Sequence, residues 1–297
     1  MEYLSDRIKL LSVSQTLAMA QKSRELKESG IDVISLSLGE PDFNTPDYVK
    51  EAAKKAIDDN FSKYPPVPGY NDLRDVIARK FREENGINYS REQIIVSAGA
   101  KHSLINVIMS IINPGDEVIL LAPYWVSYYD QIIFAGRKPV VVEALLQNDF
   151  KVRSEQIEKA NTGRTRLIIF KSPSNPTGMV STRDQMEQIA RVVERHEGVF
   201  IISDEIYEHI IYEGEHVSMA SFSFIYDRVI TVNGVSKAFA MTGWRIGYMG
   251  APLWISKACN KLQGQFTSGV CSIAQKADCA AIDGTEESIR IMRNALL

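Results

Sequence analysis

Short runs of isoleucine, valine and leucine recur through the middle of the chain, and their spacing constrains the fold more than any other feature. They fall at residues 93–97, 117–121, 139–143, 167–171, 199–203 and 229–232, with a further run at 246–249. Most are apolar at nearly every position instead of every second one, the pattern of strands covered on both faces. Helical patterns separate many of them, among them residues 100–112, 128–134 and 184–197. This alternation predicts an α/β fold with a mostly parallel sheet flanked by helices. In such sheets ligands collect beyond the carboxyl ends of the strands, so the chemistry is expected just after each run.

The chain before residue 93 is less regular. Residues 1–13 read as an irregular arm, and residues 14–29 as a helix stopped by Gly30. Residues 31–38 alternate apolar and polar, which predicts a strand running into the turn-rich Gly39-Glu40-Pro41-Asp42. Helices are expected from Pro46 to about residue 59 and over 71–85. Between them KYPPVPGY carries three prolines and predicts a stiff, exposed connection.

Charge and composition exclude several partners. Lys and Arg number 34 and Asp and Glu 37, a net charge of −3, so nothing favours nucleic acid or an anionic membrane. No apolar run approaches the roughly 20 residues of a membrane span. The charged start, MEYLSDRIKLL, lacks the apolar core of a secretion signal. Cys259, Cys271 and Cys279 have no metal-ligand spacing and read as buried thiols in a reducing compartment. His102, His196, His209 and His216 are scattered, so no metal site is expected, and the cytoplasm is the expected location.

Several segments after the apolar runs carry chemistry. Ser97-Ala98-Gly99-Ala100-Lys101 is a turn of small residues into a helix, where backbone N–H groups can approach an anion. Trp125 offers a face to an aromatic ring, or a core side chain. Asn175, in the loop Ser172-Pro173-Ser174-Asn175-Pro176-Thr177-Gly178, can bind a ligand oxygen or fix its own turn. Asp204 ends an apolar run, where a carboxylate is costly unless paired. A pyridinium nitrogen is one partner; an N-cap or a structural ion pair is the alternative.

The stretch VITVNGVSKAFAMTGWRIGY sets Lys237 among Ala238, Phe239, Ala240 and Met241. A free lysine amine has a pKa of about 10.4, and apolar surroundings can bring it to roughly 7–8, the range of Schiff-base chemistry. Arg245 is a fixed cation suited to a phosphate. An aldehyde carrying a phosphate uses both groups, and that describes pyridoxal phosphate; a snorkelling lysine beside a surface arginine is the alternative.

The segments LSLGEPDFNTP, KYPPVPGY, VSAGAKHSL, PYWVSY, SPSNPTG, SDEIYE and SKAFAMTGWRIGY stand in the order seen in class I pyridoxal-phosphate aminotransferases. The chain most resembles the bacterial aspartate (and aspartate/prephenate) aminotransferase group, from its N-terminal arm to about residue 285. The resemblance implies an aspartate aminotransferase-like fold. Residues 1–45 would be an arm and the start of a small domain, 46–285 the large cofactor domain, and 286–297 the beginning of an interdomain helix. It implies pyridoxal 5'-phosphate as cofactor, an amino acid (aspartate) and a 2-oxo acid (2-oxoglutarate) as substrates, and a homodimer with shared active sites.

The same resemblance implies roles. Lys237 would carry the cofactor and move the proton, with Asp204 on the ring nitrogen and Asn175 and Tyr207 on the phenolic oxygen; Lys237, Asp204 and Tyr207 form the catalytic set. Trp125 would stack on the ring. Gly99, Ala100, Ser236 and Arg245 would hold the phosphate, with Tyr64 reaching in from a second subunit. Gly39, Trp125 and Asn175 would meet the substrate, and Thr16 and Lys101 would grip its distal carboxylate. Two departures stand out. Gly234 occupies a position where other branches carry a phosphate-binding serine. Family members also continue past residue 297 into a small domain whose arginine clamps the substrate α-carboxylate, so cofactor binding is expected and the clamp is expected to be missing. An aromatic or alanine aminotransferase, a C–S lyase, or a non-catalytic cofactor-binding protein stay open as alternatives.

Overall fold

The computed structural model describes residues 3–36, 39–284 and 287–296. Among these residues, seven strands make one sheet: β1 (Ile94–Ser97), β2 (Glu117–Ala122), β3 (Lys138–Glu143), β4 (Thr165–Lys171), β5 (Phe200–Asp204), β6 (Val229–Asn233) and β7 (Gly247–Gly250). Their order is β1-β7-β6-β5-β4-β2-β3. β3, β2, β4, β5 and β6 run parallel, and β7 is antiparallel to both of its neighbours. Each apolar run in the sequence is a strand here, because every second residue points to one face and both faces are covered. Ile94, Val96, Ile168, Phe170 and Ile201 enter one core cluster; Ile95, Leu167, Ile169 and Ile202 enter the other.

The helices are α1 (Asp6–Lys9), α2 (Gln15–Glu28), α3 (Asp47–Asp58), α4 (Asn71–Asn85), α5 (Ala100–Ile111), α6 (Ser127–Phe134), α7 (Ser154–Ala160), α8 (Arg183–Arg195), α9 (Leu253–Phe266), α10 (Ser272–Asp283) and α11 (Glu287–Ala295). α3, α4, α8 and α10 cover the first face, and α5, α6 and α9 the second. Local signals set their ends. Thr182 and Gln185 form a reciprocal capping box at the start of α8. α4 ends on Gly86 at φ +67°, a left-handed cap that favours glycine.

Three expectations fail. Residues 31–36 form no strand, and Ile34 and Leu36 are 86% and 89% exposed. An alternating pattern becomes a strand only where another edge takes its hydrogen bonds, and no described residue does so here; Ser37 and Leu38 lie outside the described residues. The irregular arm contains the one-turn helix α1. Cys271 is exposed, while Cys259 is buried and Cys279 half-buried; burial pushes the Cys259 thiol up to about 12 and the Cys279 thiol up to about 11. The proline segment is irregular as expected, but only its first half is open. Its second half is bound to the sheet: the Val96 N–H donates to the Pro68 carbonyl at 3.0 Å, and the Gln263 amide donates to Val67 O at 2.8 Å.

A buried polar network locks the segment after β5 to its surroundings. Lys80 pairs with Glu208, both side chains 4% exposed. Asn85 and Asn233 each donate to the same carboxylate at 2.7 Å. Glu205 accepts from the Ser203 and Ser218 hydroxyls at 2.7 and 2.8 Å and lies 3.0 Å from His216. Burial raises the Glu208 carboxyl, but Lys80, His209 and His216 more than offset it, so it titrates below the usual range. Its contribution to stability is therefore present above the ordinary carboxylate pKa of about 4.3 and is lost as pH falls through the lowered folded value. Lys80→Met should cost about 3–5 kcal/mol in denaturant unfolding at neutral pH, because it strands a buried carboxylate. The double variant Lys80→Met/Glu208→Leu should recover most of that loss. A single variant within about 0.5 kcal/mol of the parent, the usual effect of an unimportant surface change, would refute this account.

Candidate active site

The ends of β4, β5 and β6 bring the main groups together. Lys171, the last residue of β4, is in register with Asp204, the last of β5. Asp204 is 2% exposed. Its Oδ2 lies 3.0 Å from Lys171 Nζ and accepts the Tyr128 hydroxyl from α6. Its Oδ1 accepts the Ile206 N–H at 3.3 Å. Burial lowers the Lys171 amine, and Asp204 pulls it back only in part. Burial, helped by the neighbouring carboxylate, pushes the Tyr128 phenol well above its ordinary value.

Lys237 sits in the turn that follows β6. Val235, Ala238, Phe239 and Met241 of this turn are core residues, and the Met241 N–H closes it on Ser236 O at 3.1 Å. The loop after Gly39 straps it from outside. The Thr45 hydroxyl donates to Ala240 O at 2.8 Å, the Trp244 indole donates to Thr45 Oγ1 at 3.1 Å, and the Thr242 hydroxyl donates to Glu40. Lys237 Nζ itself donates to the Gly39 carbonyl. Burial is the first cause that lowers its amine; Lys171 and Arg245 add to it, against Glu40 and Asp204. Both lysines face the Tyr207 ring, Lys171 at 4.8 Å and Lys237 at 5.7 Å from its centroid. The Asn175 amide donates to the Tyr207 hydroxyl at 3.4 Å.

A second corner lies where β1 turns into α5. Gly99 precedes the helix at φ +83°, and a Cβ there would stand 2.5 Å from Arg245 Nη2. A Cβ on Gly247 would fall 2.4 Å from Ala100 N, so β7 presses backbone to backbone against the helix start. The result is a helix N-terminus with a guanidinium beside it, a site for an anion. Ser236 is buried in the adjoining turn. The same packing accounts for Gly234: a side chain there would meet Gly247 Cα at 2.9 Å, which leaves no room for a serine.

The outer residues divide. Trp125 lies edge-on to Tyr128 at 5.5 Å, and Lys101 Nζ is 4.7 Å from the Trp125 ring. The Lys101 amine is lowered first by burial and then by Arg245. Gly39 joins the cluster through Lys237. Tyr64 stays apart, 97% exposed. Thr16 lies on α2, which makes no hydrogen bond to these groups among the described residues. Sequence reasoning passed over Lys171 and Tyr128. Lys171 carried a signal, a cation closing an apolar run in the same place that Asp204 closes the next.

Comparison with known proteins gives one consistent result. The family model for Aminotransferase class I and II matches residues 31–296. The chain is 46% identical to an aspartate/prephenate aminotransferase of Cereibacter sphaeroides, over 99% of this chain and 74% of that protein. It is also 46% identical to an aspartate aminotransferase of Geobacillus stearothermophilus, over 98% of this chain and 75% of that protein. Among solved structures, the aspartate aminotransferase from Thermus thermophilus with maleate superposes with a TM-score of 0.96 at 43% identity, covering 99% of this chain and 77% of that one.

The depressed Lys237 amine has a direct readout in the cofactor-free protein. A lowered pKa means that the neutral, reactive amine appears at lower pH. Reductive methylation followed site by site by mass spectrometry should place the Lys237 midpoint below the roughly 10.4 of a free lysine. A midpoint at or above that value would contradict the desolvated, cation-flanked setting.

Proposed function

Because the chain belongs to the class I and II aminotransferase family, we propose that it moves an amino group from an acidic amino acid, aspartate foremost, to a 2-oxo acid such as 2-oxoglutarate, with pyridoxal 5'-phosphate as cofactor. One observation carries the reading: a desolvated lysine, a buried carboxylate and an arginine-backed helix N-terminus converge on one end of the sheet. Bound, the cofactor supplies an aldehyde and an electron-withdrawing ring. The residues present fit it. Lys237 offers the amine, and on this reading later carries a proton to and from the substrate. Asp204 would accept a hydrogen bond from the protonated ring nitrogen, and its buried setting keeps water from competing. Asn175 and Tyr207, already hydrogen-bonded to each other, orient the phenolic oxygen. Gly99, Ala100, Ser236 and Arg245 receive the phosphate, and Trp125 lies against the ring.

On the substrate side, Gly39 adjoins the Lys237 amine, Asn175 joins it through Tyr207, and Lys101 supplies a cation for a second carboxylate. Maleate, present in the Thermus thermophilus structure, is a dicarboxylate, which supports an acidic substrate. Thr16 belongs to this group only if α2 closes toward the site. The reading includes a homodimer, since Tyr64 is open to a partner and the arm carries exposed Leu10, Val13, Leu17, Ile34 and Leu36. It divides the chain at 45/46 and 285/286 into arm, cofactor domain and interdomain helix, and places the protein in the cytoplasm; no described helix is long and apolar enough to cross a membrane.

Incubating the cofactor-loaded protein with aspartate should bleach the cofactor's visible band and release oxaloacetate. Conversion with an aromatic amino acid or alanine alone would move the assignment to another aminotransferase, and pyruvate with a thiol product would mean a lyase. Lys237→Ala should abolish the borohydride-trapped adduct without unfolding the protein; an adduct that persists on another lysine would overturn the site.

Lys101→Ala separates substrate recognition from cofactor binding. It should raise KM for aspartate about ten- to a hundredfold, the weight of one charged hydrogen bond, and leave KM for an apolar amino acid nearly unchanged. Equal losses for both would assign Lys101 to the anion corner instead.

A further inference from the structure

Lys171 has no part in the roles above, yet it touches the carboxylate on which they depend. We propose that Lys171 is a positioning residue: its ammonium is the counter-ion of Asp204 in the cofactor-free protein and competes with the cofactor's ring nitrogen for that carboxylate. The inference rests on the pyridoxal phosphate reading.

Three observations carry it. The Lys171 side chain is 9% exposed, and Asp204 is its only ion-pair partner among the described residues, at 3.0 Å. A buried carboxylate without a cation is costly, so the empty protein needs this contact. The accounting at Asp204 leaves limited room. An ionised carboxylate offers about four acceptor sites, and Lys171, Tyr128 and the Ile206 N–H occupy three. A protonated ring nitrogen that takes the fourth becomes a second cation on one carboxylate, next to the first. Like charges disfavour each other there, so Lys171 weakens the hold on the protonated ring. Finally, Lys171 and Lys237 share the Tyr207 ring, so the charge on one bears on the other. The groups facing Lys237 are Lys171 on β4, Asp204 on β5, Tyr207 after it, Arg245 before β7 and Glu40 in the strap.

Lys171→Met tests this, with Lys171→Arg as the charge-keeping control. In the cofactor-free protein the methionine variant should melt at lower temperature. Added pyridoxal phosphate should raise its Tm by more than it raises the parent's, and the Kd for the cofactor should fall about tenfold, the weight of one charged hydrogen bond. The reductive-methylation midpoint of Lys237 should move up toward that of free lysine. Lys171→Arg should return all three readings toward the parent. A purely structural lysine would lower the free and loaded melting temperatures alike, leave Kd unchanged or weaker, and leave the Lys237 midpoint where it was; that result would overturn the proposal. If Lys171→Met does not fold, Lys171→Gln keeps a donor to Asp204, removes the charge, and carries the same comparison. A parent protein that binds no pyridoxal phosphate and traps no borohydride adduct would overturn the cofactor reading and this proposal with it. A parent that traps the adduct beside variants that bind no more tightly would overturn this proposal alone.

Discussion

A sheet buried on both faces pushes its charged side chains toward the strand ends. Five parallel strands here are lined with isoleucine, valine and leucine, and each face is closed by helices. Lys171 and Asp204 stand at the last positions of neighbouring strands, still inside the low-dielectric interior but at its rim. Their pairing follows from the parallel register, which sets last residue beside last residue. The other components reach the same rim from separate segments: Lys237 from the turn after β6, Tyr128 from α6, Arg245 from the approach to β7.

Electrostatically the rim is a small excess of cations around the buried carboxylate of Asp204, with Glu40 at its edge. Lys171, Lys237, Lys101 and Arg245 converge, and burial lowers all three amines. Such an arrangement is expensive on its own and suits an anionic ligand, which would bring the missing negative charge. The second buried network, around Glu205 and Glu208, has the opposite character. Its charges are matched internally, and it holds the segment after β5 in place without facing the site.

Much of this was legible in the chain. The strands were readable because a two-sided apolar run needs no tertiary information to identify. Lys237 and Arg245 stood out through their neighbours, and Asp204 through its position at the end of such a run. What escaped depends on pairing in space. Lys171 looked like the end of a strand until the register set it against Asp204. Residues 31–36 have the alternation of a strand but pair with no strand among the described residues, and alternation does not reveal whether an edge exists. Cys271 was misplaced for a related reason: a thiol's burial depends on what packs over it, and the residues around it say little about that. Thr16, on α2, makes no hydrogen bond to the cluster among the described residues, and no local pattern reports how a helix packs; Tyr64 is exposed, as a residue offered to a second subunit would be.

The anion corner is shaped by atoms that are not there. Gly234 and Gly247 let the helix start, the exit of β6 and the edge of β7 touch main chain to main chain, and Gly99 leaves space that the Arg245 guanidinium fills. Its contour is therefore written in the backbone, with side chains added only at its margin. A corner of this kind is hard to retune gradually. A side chain at Gly234 or Gly247 pushes backbone segments apart, and one at Gly99 displaces the Arg245 guanidinium from a backbone at φ +83°, so changes in ligand preference enter more readily through the neighbours at Ala98, Lys101 and Ser236. In this chain the rim of the site is set by side chains and its floor by main chain, so a serine at Gly234 would require β7 to move with it.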